Sequence, residues 1–446
     1  MEQGLFCVEK AECLQNLLFL QFSWYTMDID WNRGIDMEQK NRKSHQFMKV
    51  AIGIAVVFTC MTGLVYSLKM GNLQKAKAIS LPSSTAASST PDAVSQPQKE
   101  PVSITILGVG DNLIHDVIYK QANARAGGKG YDFQPVYARI AGDIKNADIS
   151  VINQETPIAG KIAPLSGYPL FNSPTQLGDE LVNLGFDVIN HANNHVLDKG
   201  EKGLAATLDY WATKPSVKVV GAYRNDEDLD TIRIVEAKGI KTAHIGITEM
   251  TNGIYLPKNS KYRLIYADNT ALIERQIKKA KSMADVVVIS VHWGTENTYT
   301  LTDKQKTLAQ NMVDWGADII FGNHPHVIQK LTVLTRKDGT KCPVIFALGN
   351  FVSAQQSGDN MISGLLTVTV TKDFGTNKTS FTNMKFKPIV TQYGKRCTDI
   401  SIYPLSQYTD ALASAHGVRK YTPNFGVAYI KFIVNKNIPK EYLQTD

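Results

Sequence analysis

Gly316-Ala317-Asp318-Ile319-Ile320-Phe321-Gly322-Asn323-His324-Pro325-His326-Val327 decides the fold. The run from Ala317 to Asn323 is short and almost wholly apolar, which reads as a strand covered on both faces. It ends in two histidines. Residues i and i+2 of an extended segment face the same side, so His324 and His326 are expected to address one centre. The same grammar recurs along the chain. SITILGVG ends at Asp111, followed by Asn112 and His115; ADISVIN ends in Asn153-Gln154-Glu155. FDVIN leads into His191-Ala192-Asn193-Asn194-His195, and ADVVVISV ends at His292-Trp293-Gly294. PVIFALGN is read as a sixth strand, ending at Asn350-Phe351.

Helical spacing with polar faces fills the intervals, as in NTALIERQIKKAKSMA and TDKQKTLAQNMVDW. The fold class is therefore α/β, with ligand chemistry expected at the carboxyl ends of the strands. Imidazoles mixed with carboxylate and amide oxygens suit Mn, Fe or Zn better than calcium, which prefers oxygen alone. More donors are present than one tetrahedral ion needs, so two divalent cations ~3.5–4 Å apart, clamping a phosphoryl or similar oxyanion, are expected. Several residues keep two readings. Asp198 either caps the helix beginning near Glu201 or orients His195. His191 stands near the site without reading as a ligand, and His244 reads as structural. Glu296 and Lys199 either reach a substrate or belong to the solvated surface.

The 446 residues carry 48 Lys+Arg against 41 Asp+Glu, a net charge of +7, with 43% hydrophobic and 20% charged residues. This excludes a wholly disordered chain, a collagen-like repeat and a multi-span membrane protein. With no arginine-rich run, +7 makes no case for nucleic acid. Residues 50–68, VAIGIAVVFTCMTGLVYSL, run 19 positions without a charge, enough to cross a bilayer as an uncleaved signal anchor; a buried helix is the alternative. Residues 1–49 would then be a cytoplasmic tail, of which 1–36 look like a mispredicted start, because a chain beginning at Met37 has a conventional basic leader. Residues 69–101, rich in Ser, Thr, Ala and Pro, read as a flexible stalk. A large folded α/β domain over 102–362 follows, and 363–446 reads as a β-rich extension of it. Cys342 and Cys397 form no C-x-x-C motif, and whether they pair is left open.

Taken together, GVGDNLIH (108–115), NQET (153–156), NNHVLDKG (193–200), HWGTE (292–296), GADIIFGNHPHV (316–327) and LGNF (348–351) resemble the CapA family of poly-γ-glutamate capsule biosynthesis proteins. That family is similar to the calcineurin-like metallophosphoesterases, which implies an αββα sandwich with a two-metal centre. The resemblance implies Asp111, Glu155, Asn194, His292, His324 and His326 as metal ligands. It implies His195 as the general acid; Asp198, in its orienting reading, is grouped with it as catalytic. Asp111 is followed at +4 by His115, where phosphoesterases carry D-x-H, and Glu155 stands where they carry aspartate. A membrane-bound, outward-facing protein working with synthase or export subunits is expected. Its substrate would be an anionic polymer or phosphoester. A phosphoesterase for another envelope substrate and a non-catalytic polymer-binding scaffold are the alternatives.

Overall fold

Four parallel strands carry the first half of the site: β1 (Val102–Asn112), β2 (Ile149–Asn153), β3 (Val188–Asn190) and β4 (Lys218–Val220). These coordinates come from a computed structural model, which describes residues 100–444. The tail, the apolar segment 50–68 and all but the end of the stalk therefore lie outside the described residues. Among the described residues no helix is long and apolar enough to cross a membrane.

The second half is carried by β5 (Arg233–Ala237), β6 (Ile240–Thr248), β7 (Val286–His292), β8 (Ile319–Asn323), β9 (Leu331–Thr335) and β10 (Lys341–Ile345). They form a six-stranded sheet in the order β5-β6-β7-β8-β10-β9. The chain then contributes β11 (Asn350–Val352), β12 (Ile362–Asp373), β13 (Lys378–Gln392) and β14 (Ser401–Pro404) to the first sheet. Its order is β14-β13-β12-β1-β2-β3-β4, with β11 paired to the end of β1.

Alternation along the buried strands shows why these runs are apolar on both faces. Val286 and Val288 of β7 enter a core shared with β1, β2 and β12, whereas Val287, Ile289 and Val291 face Ile273, Ile277 and Met312. Those last three lie on the outer helices Thr270–Met283 and Asp303–Trp315. Helices at 116–125, 141–146 and 175–184 cover the first sheet in the same way, through Ile118, Ile144 and Leu181. The layers are thus helix, sheet, sheet, helix. The two sheets meet so closely that a Cβ on Gly108 would stand 2.6 Å from the Phe321 ring. Glycine is needed there for space.

Two expectations change. PVIFALGN is two strands rather than one: β10 stops at Ile345, and β11 belongs to the opposite sheet. Gly349, at φ +80, turns the chain between them, and its carbonyl accepts from Asp111 N at 3.0 Å. The C-terminal extension is β-rich only as far as Pro404; helices Asp410–Ala415 and Val427–Asn437 follow. The second reads VAYIKFIVNKN, whose β-branched residues favour a strand. Packing of Ile430, Ile433 and Val434 into the main core decides for helix. Cys342 and Cys397 are both free thiols.

His416 ties this C-terminal region down and makes it acid-sensitive. Its Nε2 lies 2.9 Å from Thr391 O, Val418 N donates to its Nδ1 at 3.0 Å, and Tyr393 and Phe425 pack against the ring. Only the neutral ring satisfies both bonds, and burial lowers its pKa from 6.5 to about 4. The unfolded chain takes up this proton first, so stability is full above pH 6.5 and drains as pH falls towards 4. The loss from this group amounts to about 3 kcal/mol. Urea midpoints measured between pH 7 and 4 are expected to fall less steeply in His416→Gln. Equal slopes in the two proteins would refute the assignment.

Candidate metal centre

Each carboxyl end that faces the crevice delivers a donor. β1 brings Asp111, the turn after β2 brings Glu155, and the loop after β3 brings Asn194 and His195. From the other sheet, β7 brings His292 and the turn after β8 brings His324 and His326. All are at least nine-tenths buried.

The donors fall into two groups that share Glu155. In the first, His292 Nε2 lies 2.9 Å from Asn194 Oδ1, 3.1 Å from His324 Nδ1 and 3.6 Å from Glu155 Oε1. In the second, Asp111 Oδ2 lies 3.2 Å from His326 Nδ1, while His326 Nε2 lies 3.9 Å from Glu155 Oε1. Within each set of Glu155, His292, His324 and of Asp111, Glu155, His326, donor atoms lie within 4.8 Å of one another. Glu155 decides how this should be understood. Its side chain is fully buried, and neither carboxylate oxygen has a hydrogen-bond partner. An uncompensated buried carboxylate is costly. Here it faces imidazole nitrogens on both sides, an arrangement that suits divalent cations.

The electrostatics agree. Burial, then the neighbouring Asp111 carboxylate, pushes Glu155 well above the usual range. Burial lowers His324 to about 3 and holds His292 well below its ordinary value, leaving neutral rings with lone pairs to offer. Burial also pulls on His326, but Glu155 and Asp111 outweigh it and hold that ring at about 9. Cation binding must displace that proton.

His324 and His326 converge for a different reason than alternation along a strand. Their φ values are +98 and +59, so both lie in the left-handed region rather than in extended backbone. Asp111 Oδ2 accepts from His324 N at 3.2 Å, and Asn350 Oδ1 sits 2.9 Å from His326 Nδ1. Strained backbone of this kind persists where its surroundings over-determine it.

His195 and Asp198 form a dyad at the edge of the cluster. His195 Nδ1 is 2.8 Å from Asp198 Oδ2, which also accepts from Phe171 N at 2.7 Å. The Phe171 ring packs edge-on against His195 at 4.7 Å. Asp198 caps no helix: the helix Gly200–Ala212 has Lys199 at its N-cap and no side-chain cap. Of its two readings, the orienting contact is the one present. His115 stays outside both donor groups, its Nδ1 3.2 Å from Leu113 O and 3.3 Å from Ala354 N. His191 accepts from Trp211 Nε1 at 2.6 Å, His244 sits mid-strand beside Thr242, and Lys199 donates to Leu170 O.

Sequence reading undervalued the asparagines. Asn153 Nδ2 donates to Asp111 Oδ1 at 2.7 Å and lies 3.2 Å from His292 Nδ1, so it holds ligands from both sheets. Asn190 Nδ2 in turn donates to Asn153 Oδ1. The signal was present, since Asn112, Asn153, Asn190 and Asn323 each close a strand and Asn350 opens one. A cleft of about 620 Å³ is lined by Trp293, Glu249 and Asp303, among others, and by none of the donors.

The family described as bacterial capsule synthesis protein PGA_cap matches residues 105–355, more than half of the chain and the whole span of this centre. The chain belongs to that family. Among similar curated proteins, the PGA biosynthesis protein CapA of Bacillus subtilis (strain 168) is 36% identical over 176 residues, covering 39% of this chain and 44% of the relative. The capsule biosynthesis protein CapA of Bacillus anthracis is 31% identical over 268 residues, covering 58% of this chain and 61% of the relative. The chain thus spans about half the length of the curated relatives it matches. Among solved structures, the NAD nucleotidase of Haemophilus influenzae is similar at a TM-score of 0.40 and 13% identity, over 76% of this chain and 60% of that one. A likeness of that size carries no weight for function.

Proposed function

We propose that this chain serves the synthesis or export of a poly-γ-glutamate capsule polymer at the outer face of the cell membrane. In this reading the apolar segment 50–68 anchors it, and it acts as a metal-dependent hydrolase-like subunit beside synthase or export partners. Family membership supports the capsule role, and the charge-free 19-residue segment supports the anchor. One observation carries the metal-dependent part: the buried, unpartnered Glu155 carboxylate shared by two groups of donors.

Asp111, Glu155 and His326 would hold one divalent cation, and Glu155, Asn194, His292 and His324 the other. When bound, such cations polarise the scissile group and neutralise developing charge. The remaining work falls to this chain's own side chains. Asp198 accepts the Nδ1 proton of His195 and fixes the tautomer, which leaves Nε2 to carry a proton to a leaving group. Phe171 restricts the ring, and the asparagines orient the ligands.

Metal analysis of the full-length protein, purified in detergent without chelator, is expected to find Mn, Fe or Zn. A panel of γ-glutamyl amides and phosphodiesters then separates substrate classes. Turnover of the amides alone supports the polymer role, and turnover of the phosphodiesters alone favours an envelope phosphoesterase. Absence of all three metals, with no uptake when they are added back, would sink the reading.

A further inference from the structure

The two cation positions are unequally furnished. Four side chains surround the first, including Asn194, whereas the second has Asp111, Glu155 and His326. A carboxylate stands nearby that neither group includes. Glu296 offers an oxygen that lies, with donor atoms of His324 and His326, in a set whose members are all within 4.8 Å of one another. The set takes one histidine from each position, so Glu296 adjoins both. Unlike Asp111 and Glu155 it is exposed, and so it borders the centre from the solvent side.

The loop bearing Glu296 is pinned on both flanks. Gly294 N donates to Glu249 Oε2 at 2.8 Å, two residues before it. On the other flank Asn297, at φ +58, donates from its N to Pro325 O at 2.9 Å, and its Oδ1 accepts from Asn360 Nδ2 at 2.8 Å. Asn360 Nδ2 also reaches His326 O. The segment carrying Glu296 is therefore tied to the turn carrying His324 and His326. An exposed glutamate on a free loop would lose side-chain entropy on joining a cation, and the pinning reduces how much remains to be lost.

We propose that Glu296 is a third carboxylate ligand of the centre, closing it from the solvent side through His324 and His326. This rests on the two-cation reading above. Two divalent cations bring four positive charges, and Asp111, Glu155 and Glu296 together bring three negative ones. The centre is then left with one net positive charge, against two without Glu296.

The test is Mn²⁺ affinity of the full-length protein, measured by chelator competition, with metal content as a second readout. Glu296 is exposed, so its variants are expected to fold, and circular dichroism checks this. Glu296→Gln removes the charge, while Glu296→Asp keeps it but, on a pinned loop, falls short by one methylene. Ligation predicts that both variants hold at least one Mn²⁺ about tenfold or more weakly, within the range lost when groups supporting a metal are removed. Unchanged affinity in both, or weakening in Glu296→Gln alone, overturns the proposal, the latter because it marks a through-space charge effect. Failure of the wild-type protein to bind Mn²⁺, Fe or Zn at all would instead overturn the metal centre itself.

Discussion

Glu155→Gln is expected to change stability in opposite directions with and without divalent cation. In the cation-free protein the substitution stabilises at pH 7. Burial, then Asp111, raises the Glu155 carboxyl well above its ordinary 4.5, so ionising it costs the folded state more than the unfolded chain. Stability from this group is present below the unfolded value and is lost as pH rises, and glutamine removes that loss. With cation in hundredfold excess over its dissociation constant the sign reverses. The wild-type protein then gains about 2.7 kcal/mol by mass action, and the variant forfeits most of it because both donor groups share this residue. Thermal unfolding with EDTA and with Mn²⁺ checks both halves. A shift of the same sign in both conditions would refute the role given to Glu155.

His195→Ala is expected to cut turnover roughly 10²–10⁴-fold, the usual worth of a positioned proton donor, while cation affinity stays within twofold or so. His195 lies outside both donor groups, so its loss should leave the cations in place. Asp198→Asn should fall between the wild-type protein and His195→Ala, because the ring remains but the acceptor that fixes its tautomer is weakened. Polymer production in cells is the decisive readout. Unchanged production in His195→Ala with cation still bound would show that this proton plays no part, and the scaffold role would take its place.

Much of the α/β pattern was legible because apolar runs ending in Asp, Asn or His are rare unless strand ends converge on a site. Asp111, His292 and His324 could be placed at such ends from residue order alone. What failed did so for physical reasons. PVIFALGN looks like one strand, but one residue, Gly349, lets the chain leave the sheet, and apolarity does not report which sheet a strand joins. Alternation suggested how His324 and His326 share a centre, whereas left-handed backbone held by Asp111 and Asn350 brings them there. The helix Val427–Asn437 was hidden by β-branched residues whose preference yields to burial. Asn153 escaped notice since an amide reveals its importance only through the partners it bridges.

The origin of the ligands has a consequence for how this protein comes into being. Asp111, Glu155 and Asn194 follow strands of one sheet, and His292, His324 and His326 follow strands of the other. Neither sheet alone carries more than half of the set. A chain with only one sheet formed can therefore offer no more than three of the six side chains, a fragment of the cradle. On the proposed two-cation reading, capture would then be a checkpoint: ions would be held only once both sheets have docked, and would rivet the two halves together.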